Sequence, residues 1–294
     1  MSASRPADGR SRSLRGQVEM PLLGFGVWLL EDGPQAERCV SWALEAGYRH
    51  VDTAQNYGNE ASVGRALRAS GIPREELFVT TKFLPGSGRA DEQAERSLER
   101  LGIERVDLYL VHWPQGGPTR AWQGMERALE RGLTRAIGVS NFDLGELAKV
   151  IEAADVPPAL NQVDFSPFRF RRRLLAGCVE QGVALEAYSP LTHGRELADP
   201  LVASIAERAG RSPAQVMLRW AIQRGVGVIP KSSHRERIIE NAGVFDFELD
   251  PEQMSRLDEL DRSDGSARAT DGKWWTARGR ARSFAARLAR PLRG

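Results

Sequence analysis

Between residues 23 and 242, short apolar runs of strand length alternate with longer stretches whose apolar positions recur every three or four residues. A period near two marks strands, and one near 3.6 marks helices with a single buried face. The runs lie at 23–27, 50–52, 78–82, 106–112, 135–139, 160–163, 184–187 and 226–229. Helices are predicted over 34–46, 59–70, 91–101, 119–131, 143–153, 171–180, 212–223 and 235–242, with two extra ones at 200–209 and 251–261. Regular alternation of strand and helix calls for a parallel sheet with crossover helices. Eight strands suffice to close that sheet into a (β/α)8 TIM barrel with extra helices near the C-terminus.

The element ends carry matching chemistry. Asp91 and Asp143 suit helix N-caps, and Ser212 followed by Pro213 places proline at a first helical position. Gly47, Gly102, Gly132 and Gly182 fall where helices must stop in a left-handed turn. A doubly wound open sheet would show the same periodicity, but Gly24 and Gly26 are followed by Val27, Trp28 and Leu29, with no third glycine opening a helix. A Rossmann phosphate loop is therefore not supported. Three segments are expected: a flexible Ser/Arg-rich leader over 1–16, one barrel over 17–265, and a C-terminal loop with an Arg-rich tail over 266–294.

Composition narrows the class. With 294 residues, 41% hydrophobic and 27% charged, the chain has enough apolar content for a sizeable core. Its net charge of +2 makes no case for nucleic acid as a partner. No apolar run reaches the roughly 18 residues of a membrane span. Cys39 and Cys178 stand far apart with no CxxC spacing, so they are expected to be buried and reduced, and the cytoplasm is the expected compartment. No HExxH, GxSxG or Walker loop is present and the four histidines lack ligand spacing, so no metal is expected.

Functional groups of a (β/α)8 barrel gather at the carboxyl ends of its strands. Asp52 ends the second run, Tyr57 follows in its loop, Lys82 ends the third and His112 the fourth, so all four face one mouth. A free tyrosine has a pKa of about 10, and a nearby ammonium lowers it by favouring the phenolate. Lys82 can be that ammonium, Asp52 can hold it in place, and His112 can orient a substrate oxygen. The set amounts to a general acid aimed at a carbonyl. Taken singly, each residue could instead be a loop aromatic, a satisfied strand-end histidine or a structural ion pair.

The stretches MPLLGFGVW, GYRHVDTAQNYGNE, VTTKF, LYLVHWP, AIGVSNF, NQVDFSPF, AYSPL and IPKSSHRERIIENAGVFDFEL, in this order, resemble the aldo-keto reductase family over about residues 20–261. AQNYGNE and IPKSSHRERI are most similar to its bacterial diketogulonate-reductase-like members. The resemblance implies a barrel that binds NADPH without a Rossmann fold, with Tyr57 as proton donor, Asp52 and Lys82 as the pair that tunes it, and His112 orienting the carbonyl. It implies that Ser140, Asn141 and Gln162 grip the nicotinamide carboxamide and that Tyr188 stacks on the ring. Gly26, Val27 and Trp28, with Asp52, Ser189 and Leu191, are further implied cofactor contacts. Lys231, Ser232 and Arg237 would take the 2′-phosphate, and Glu240 and Asn241 the adenine. Two cations and a hydroxyl before a helix N-terminus suit such an anion.

Trp28 and Trp113, with Tyr57 and His112, are expected to wall the substrate pocket. The loops after the fourth and seventh runs are short, which implies an open pocket for small carbonyl compounds. The tail departs from the family: Trp274 and Trp275 either fold over the mouth or pack outside, and the Arg-rich remainder reads as solvated rather than bound to membrane or nucleic acid. The expected function is NADPH-dependent reduction of small aldehydes or ketones by a monomer. The alternative is an NADPH-binding structural or regulatory protein of the same fold without significant turnover.

Overall fold

A computed structural model describes residues 10–263. Its eight parallel strands are β3 (Gly24–Gly26), β4 (His50–Asp52), β5 (Phe78–Phe83), β6 (Val106–Val111), β7 (Thr134–Ser140), β8 (Leu160–Asp164), β9 (Ala184–Tyr188) and β10 (Gly227–Val228). Each pairs with its sequence neighbour, and a parallel bridge between Leu23 and Val228 joins the first strand to the last. The amide of Val228 donates to the carbonyl of Leu22 at 2.8 Å, so the sheet returns on itself as the alternation requires.

The crossover helices are α1 (Pro34–Glu45), α2 (Glu60–Ala69), α3 (Ala90–Leu101), α4 (Trp122–Glu130), α5 (Leu144–Ala153), α6 (Arg172–Glu180), α8 (Pro213–Gln223) and α9 (Arg235–Ala242), with α7 (Pro200–Ala209) and α10 (Pro251–Asp258) as the extra pair. Asp143 and Ser212 close reciprocal capping boxes with Glu146 and Gln215, so each helix start satisfies two backbone donors that would otherwise be orphaned. Gly47, Gly102, Gly132 and Gly182 all adopt the positive φ expected of helix stops. Asp91 differs from its expected role. Helix α3 begins one residue earlier with Arg89 as its cap, and the Asp91 carboxylate instead accepts from Arg89 at 2.8 Å and Arg127 at 3.2 Å. Arg89, Arg127 and Arg131, the last at 3.6 Å, converge on this one buried carboxylate and take the place of a cap amide.

Strand alternation divides the core in two. Val79, Tyr109, Ile137 and Leu185 point outward under the helices, while Phe78, Leu108, Ala136 and Ala184 point into the barrel. The inner apolar layer lies at the amino ends of the strands, where a hairpin seals it. That hairpin, β1 (Ser11–Leu14) and β2 (Val18–Pro21), takes in residues 11–16 of the segment expected to be a flexible leader. Leu14, Val18 and Met20 join the inner cluster, and Arg12 Nη1 donates to the carbonyl of Gly225 at 2.7 Å. A hydrophobic plug and side-chain hydrogen bonds from Arg12 and from Arg15, which donates to the carbonyl of Gln181 at 3.4 Å, fix the segment, although its sequence carries no long apolar run. The tail tryptophans Trp274 and Trp275 lie outside the described residues.

Helices α2 and α3 meet at Gly64, where an added Cβ would lie 1.9 Å from the carbonyl oxygen of Leu101. The neighbour is backbone and cannot turn away as a side chain would. Gly64→Ala is expected to destabilise the barrel by about 1–3 kcal/mol, as overpacking does. Chemical denaturation would read that loss, and an unchanged midpoint would contradict the close approach.

Candidate active site

Polar inward positions begin where the apolar layer ends. In β5, Phe78 is followed on the same face by Thr80 and then Lys82, and in β4 His50 is followed by Asp52. Asp52 closes its strand, Lys82 lies one residue from the end of its own, and His112 directly follows β6. Tyr57 sits in a single 3₁₀ turn, Gln55–Tyr57, after β4. The turn is held from below by fully buried Asn59, whose side-chain nitrogen donates to the carbonyls of Val27 at 3.0 Å and Leu30 at 3.1 Å. Asn59 also accepts from Thr53 Oγ1 at 3.0 Å.

Lys82 lies at the centre of the cluster and is fully buried. Its Nζ donates to Asp52 Oδ1 at 2.6 Å, the carbonyl of Thr53 at 2.9 Å and the hydroxyl of Tyr57 at 3.3 Å. Three donors meet three acceptors, so the ammonium needs no water. Burial by itself would depress the Lys82 pKa, but Asp52 and Tyr57 outweigh it and hold the pKa above the ordinary lysine value. Burial pushes Asp52 upward, against the pull of the Lys82 charge and hydrogen bonds from Lys82 and Gln162.

The Tyr57 phenol departs from expectation. Burial raises its pKa above the ordinary value and Asp52 adds to the rise, while Lys82 pulls the other way without prevailing. The phenol therefore keeps its proton at neutral pH. Its ring meets His112 edge-on at 5.7 Å between centroids. Burial and the Lys82 charge both hold the His112 pKa well below that of free imidazole, so the ring is neutral with a single N–H. Its Nδ1 is buried without a partner, which leaves Nε2 as the nitrogen that can reach a bound molecule.

Beside this group the resemblance-implied nicotinamide residues are tied into one network. Asn141, at φ 68°, donates to the carbonyl of His112 and to Ser140 Oγ, both at 3.0 Å, and accepts from the Tyr188 hydroxyl at 2.8 Å. Ser140 Oγ donates to the carbonyl of Gln162 at 2.9 Å. Gln162 Nε2 donates to Asp52 Oδ2 at 2.8 Å and Glu186 Oε2 at 2.7 Å. Both amide hydrogens of Gln162 are thereby used, so its carbonyl is what it has left to offer, an acceptor suited to the N–H of a carboxamide.

The remaining residues divide between structural and open positions. Gly26 and Val27 spend their backbone groups internally: the amide of Gly26 donates to Pro230 at 3.2 Å, that of Val27 to Asp52 at 3.1 Å, and the Val27 side chain is buried in the core. Trp28 is 45% exposed and packs on His193 at 5.8 Å between ring centroids, bridging the loops that follow β3 and β9. Ser189 Oγ lies 3.4 Å from His193 Nε2, and Leu191 is half-buried against the core. Trp113 stacks on His112. Lys231, Arg237 and Glu240 are exposed while Ser232 and Asn241 are buried, all on or just before α9. Among the described residues neither Lys231 nor Arg237 pairs with a carboxylate, which leaves both free for an anion. These features fit a nicotinamide dinucleotide phosphate: a carboxamide acceptor at one end and unneutralised cations at the other.

The sequence reading missed Asn59, His50 and Glu186. The signal for Glu186 was present, since it occupies the same strand face as Tyr188 two residues on, a carboxyl inside the otherwise apolar run ALEAY. Cys39 and Cys178 are both buried and free. No helix among the described residues is long and apolar enough to cross a membrane. No group of three or more His, Cys, Asp or Glu side chains among them could hold a metal.

The Aldo/keto reductase family model matches residues 22–262. An aldo-keto reductase of Mycolicibacterium vanbaalenii is 49% identical over 248 residues, covering 82% of this chain and 88% of the relative. A glyoxal reductase of Bacillus subtilis is 43% identical over 255 residues, covering 85% and 92%. Among solved structures, an aldo-keto reductase of Bombyx mori in complex with NADP superposes with a TM-score of 0.81 at 31% identity, covering 90% of this chain and 96% of that one.

Proposed function

The chain belongs to the aldo/keto reductase family, and from that premise we propose that it is an NADPH-dependent reductase of small aldehydes or ketones, with Tyr57 as the proton donor. The observation that carries this reading is the single ammonium of Lys82 shared between Asp52 and the Tyr57 hydroxyl. The nicotinamide, when bound, supplies a hydride to the carbonyl carbon. His112, neutral and with Nε2 free, donates a hydrogen bond to the carbonyl oxygen and fixes its direction. Tyr57 releases its proton to that oxygen as negative charge builds there, and Lys82 stabilises the phenolate left behind. Asp52 keeps the ammonium from turning away.

At neutral pH a phenol of raised pKa is fully protonated, so the donor is always loaded. The cost is a weaker acid, offset by an ammonium 3.3 Å away whose attraction grows as the proton leaves. Trp28 and Trp113 wall the site, and with short neighbouring loops they favour compact carbonyl compounds. The glyoxal reductase relative supports placing α-dicarbonyls first among candidates, and the diketogulonate-reductase-like motifs support keto sugars as a second group. Lys231, Ser232 and Arg237 hold the 2′-phosphate in this reading, with Asn241 and Glu240 beside the adenine. A binding protein without turnover would need only the nicotinamide and phosphate contacts, not the assembled Asp52, Tyr57, Lys82 and His112.

Purified protein is expected to oxidise NADPH in the presence of an aldehyde, α-dicarbonyl or keto sugar. Tyr57→Phe should lower kcat by about 10²–10⁴-fold, the scale of a lost general acid, while NADPH affinity is kept. Undiminished turnover in that variant would remove Tyr57 from the donor role. Lys231→Ala and Arg237→Ala are each expected to weaken NADPH by about tenfold or more, the loss of a charge-assisted hydrogen bond. NADH affinity should change little, and equal losses for both cofactors in fluorescence titration would reject the 2′-phosphate assignment.

A further inference from the structure

Beneath the Lys82 cluster lies a second buried carboxyl that the proposed chemistry does not use. Glu186 is fully buried, and its Oε2 accepts from the same Gln162 nitrogen that donates to Asp52. One amide group thus spans two carboxyls. The other oxygen of Glu186 has no hydrogen-bond partner and lies 3.7 Å from Nδ1 of His50, which is likewise unpartnered and fully buried. His50 Nε2 is 3.0 Å from Thr80 Oγ1. An added Cβ at Gly24 would come within 2.6 Å of His50 Nδ1, so the ring is held in place from the adjoining strand.

We propose that Glu186 is a positioning residue for the reduction: it orients the Gln162 amide towards the nicotinamide and, by holding or releasing one proton beneath Asp52, sets the charge against which Tyr57 gives up its own. This rests on the reductase reading above. The ionisable groups facing Glu186 are Asp52 and His50 from β4, Lys82 from β5 and Tyr57 from the turn after β4. Only one of them, Lys82, is a cation. With Asp52 already paired to it, a second carboxylate would leave a net negative charge in the barrel interior, and burying an unpaired charge is costly.

Glu186 therefore stays a neutral acid at neutral pH, and burial, reinforced by Asp52, raises its pKa to about 8. Burial keeps His50 neutral as well, with a pKa lowered to about 3. His50 Nε2 lies within hydrogen-bond distance of Thr80 Oγ1, and its Nδ1, 3.7 Å from Glu186, gives that carboxyl neither a positive charge nor a hydrogen bond. A Glu186 carboxylate would thus find no cation on this side to offset its burial. Above about pH 8 the proton leaves to solvent, and the new anion disfavours phenolate on Tyr57, raising the phenol's pKa further. Reduction slows in consequence.

The test is the pH profile of kcat for NADPH-dependent reduction in wild type, Glu186→Gln and Glu186→Ala. Wild-type kcat is expected to fall as pH passes about 8. Glu186→Gln, which cannot ionise and still offers Gln162 an acceptor, should move that fall to higher pH. Glu186→Ala should lose about tenfold in kcat/KM at neutral pH through the freed Gln162 amide, and Gln at this position should restore most of that loss. Infrared difference spectra at neutral pH should show a carboxylic-acid band in wild type that Glu186→Gln lacks. A wild-type pH profile in Glu186→Gln, or the absence of that band, would overturn the role of Glu186 alone. A wild-type protein that never oxidises NADPH overturns the reductase reading and this role with it.

Discussion

The Lys82 ammonium is the constraint around which the interior is arranged. A charge with no access to water must be met by fixed acceptors, and each one comes from a different place: the Asp52 carboxylate, the Thr53 carbonyl and the Tyr57 hydroxyl. Meeting all three requires β4 and β5 in register and a turn after β4 that brings Tyr57 back over the strand ends. Asn59 supplies that return by satisfying carbonyls of the neighbouring loop from a fully buried position. The rigidity of the site is therefore a consequence of desolvation: few geometries satisfy every partner, and the others leave a buried charge exposed to nothing.

The same logic passes from residue to residue around the barrel mouth. Asp52 holds Lys82 with one oxygen and Gln162 with the other, Gln162 reaches Glu186, and Ser140 returns to the carbonyl of Gln162. Asn141 then ties the backbone of His112 to the hydroxyl of Tyr188. Five strands contribute, and nearly every donor is matched within the chain. Such a network is fixed within the chain itself, and in the proposed reading its dipoles lower the barrier at little reorganisation cost. The opposite end of the barrel is built on dispersion and burial instead, with the hairpin side chains of Leu14, Val18 and Met20 filling the inner layer. One end is dry and apolar so that the other can hold ionisable groups in place.

Membership of the aldo/keto reductase family and the eight-stranded barrel were legible in the residue order, because both rest on local signals. The apolar period marks each strand and helix, Asp143 and Ser212 announce their helices through hydroxyl or carboxylate chemistry three residues from a partner, and four glycines stop helices where only a left-handed residue fits. The motif positions of Asp52, Tyr57, Lys82 and His112 at successive strand ends pointed to one mouth before any coordinate did. What tertiary structure decided are the effects that depend on residues far apart in sequence. The sign of the Tyr57 shift turns on burial outweighing Lys82, a balance that spacing does not contain. Asp91 is claimed by arginines of its own and the next helix rather than by a backbone cap. The ordering of Arg10–Gly16 comes from the opening of the barrel that it fills. Glu186 gains its meaning only when Gln162 joins it to Asp52, 110 positions earlier in the chain from that glutamine. Periodicity and capping act within a few residues, whereas desolvation and charge balance are properties of a closed interior.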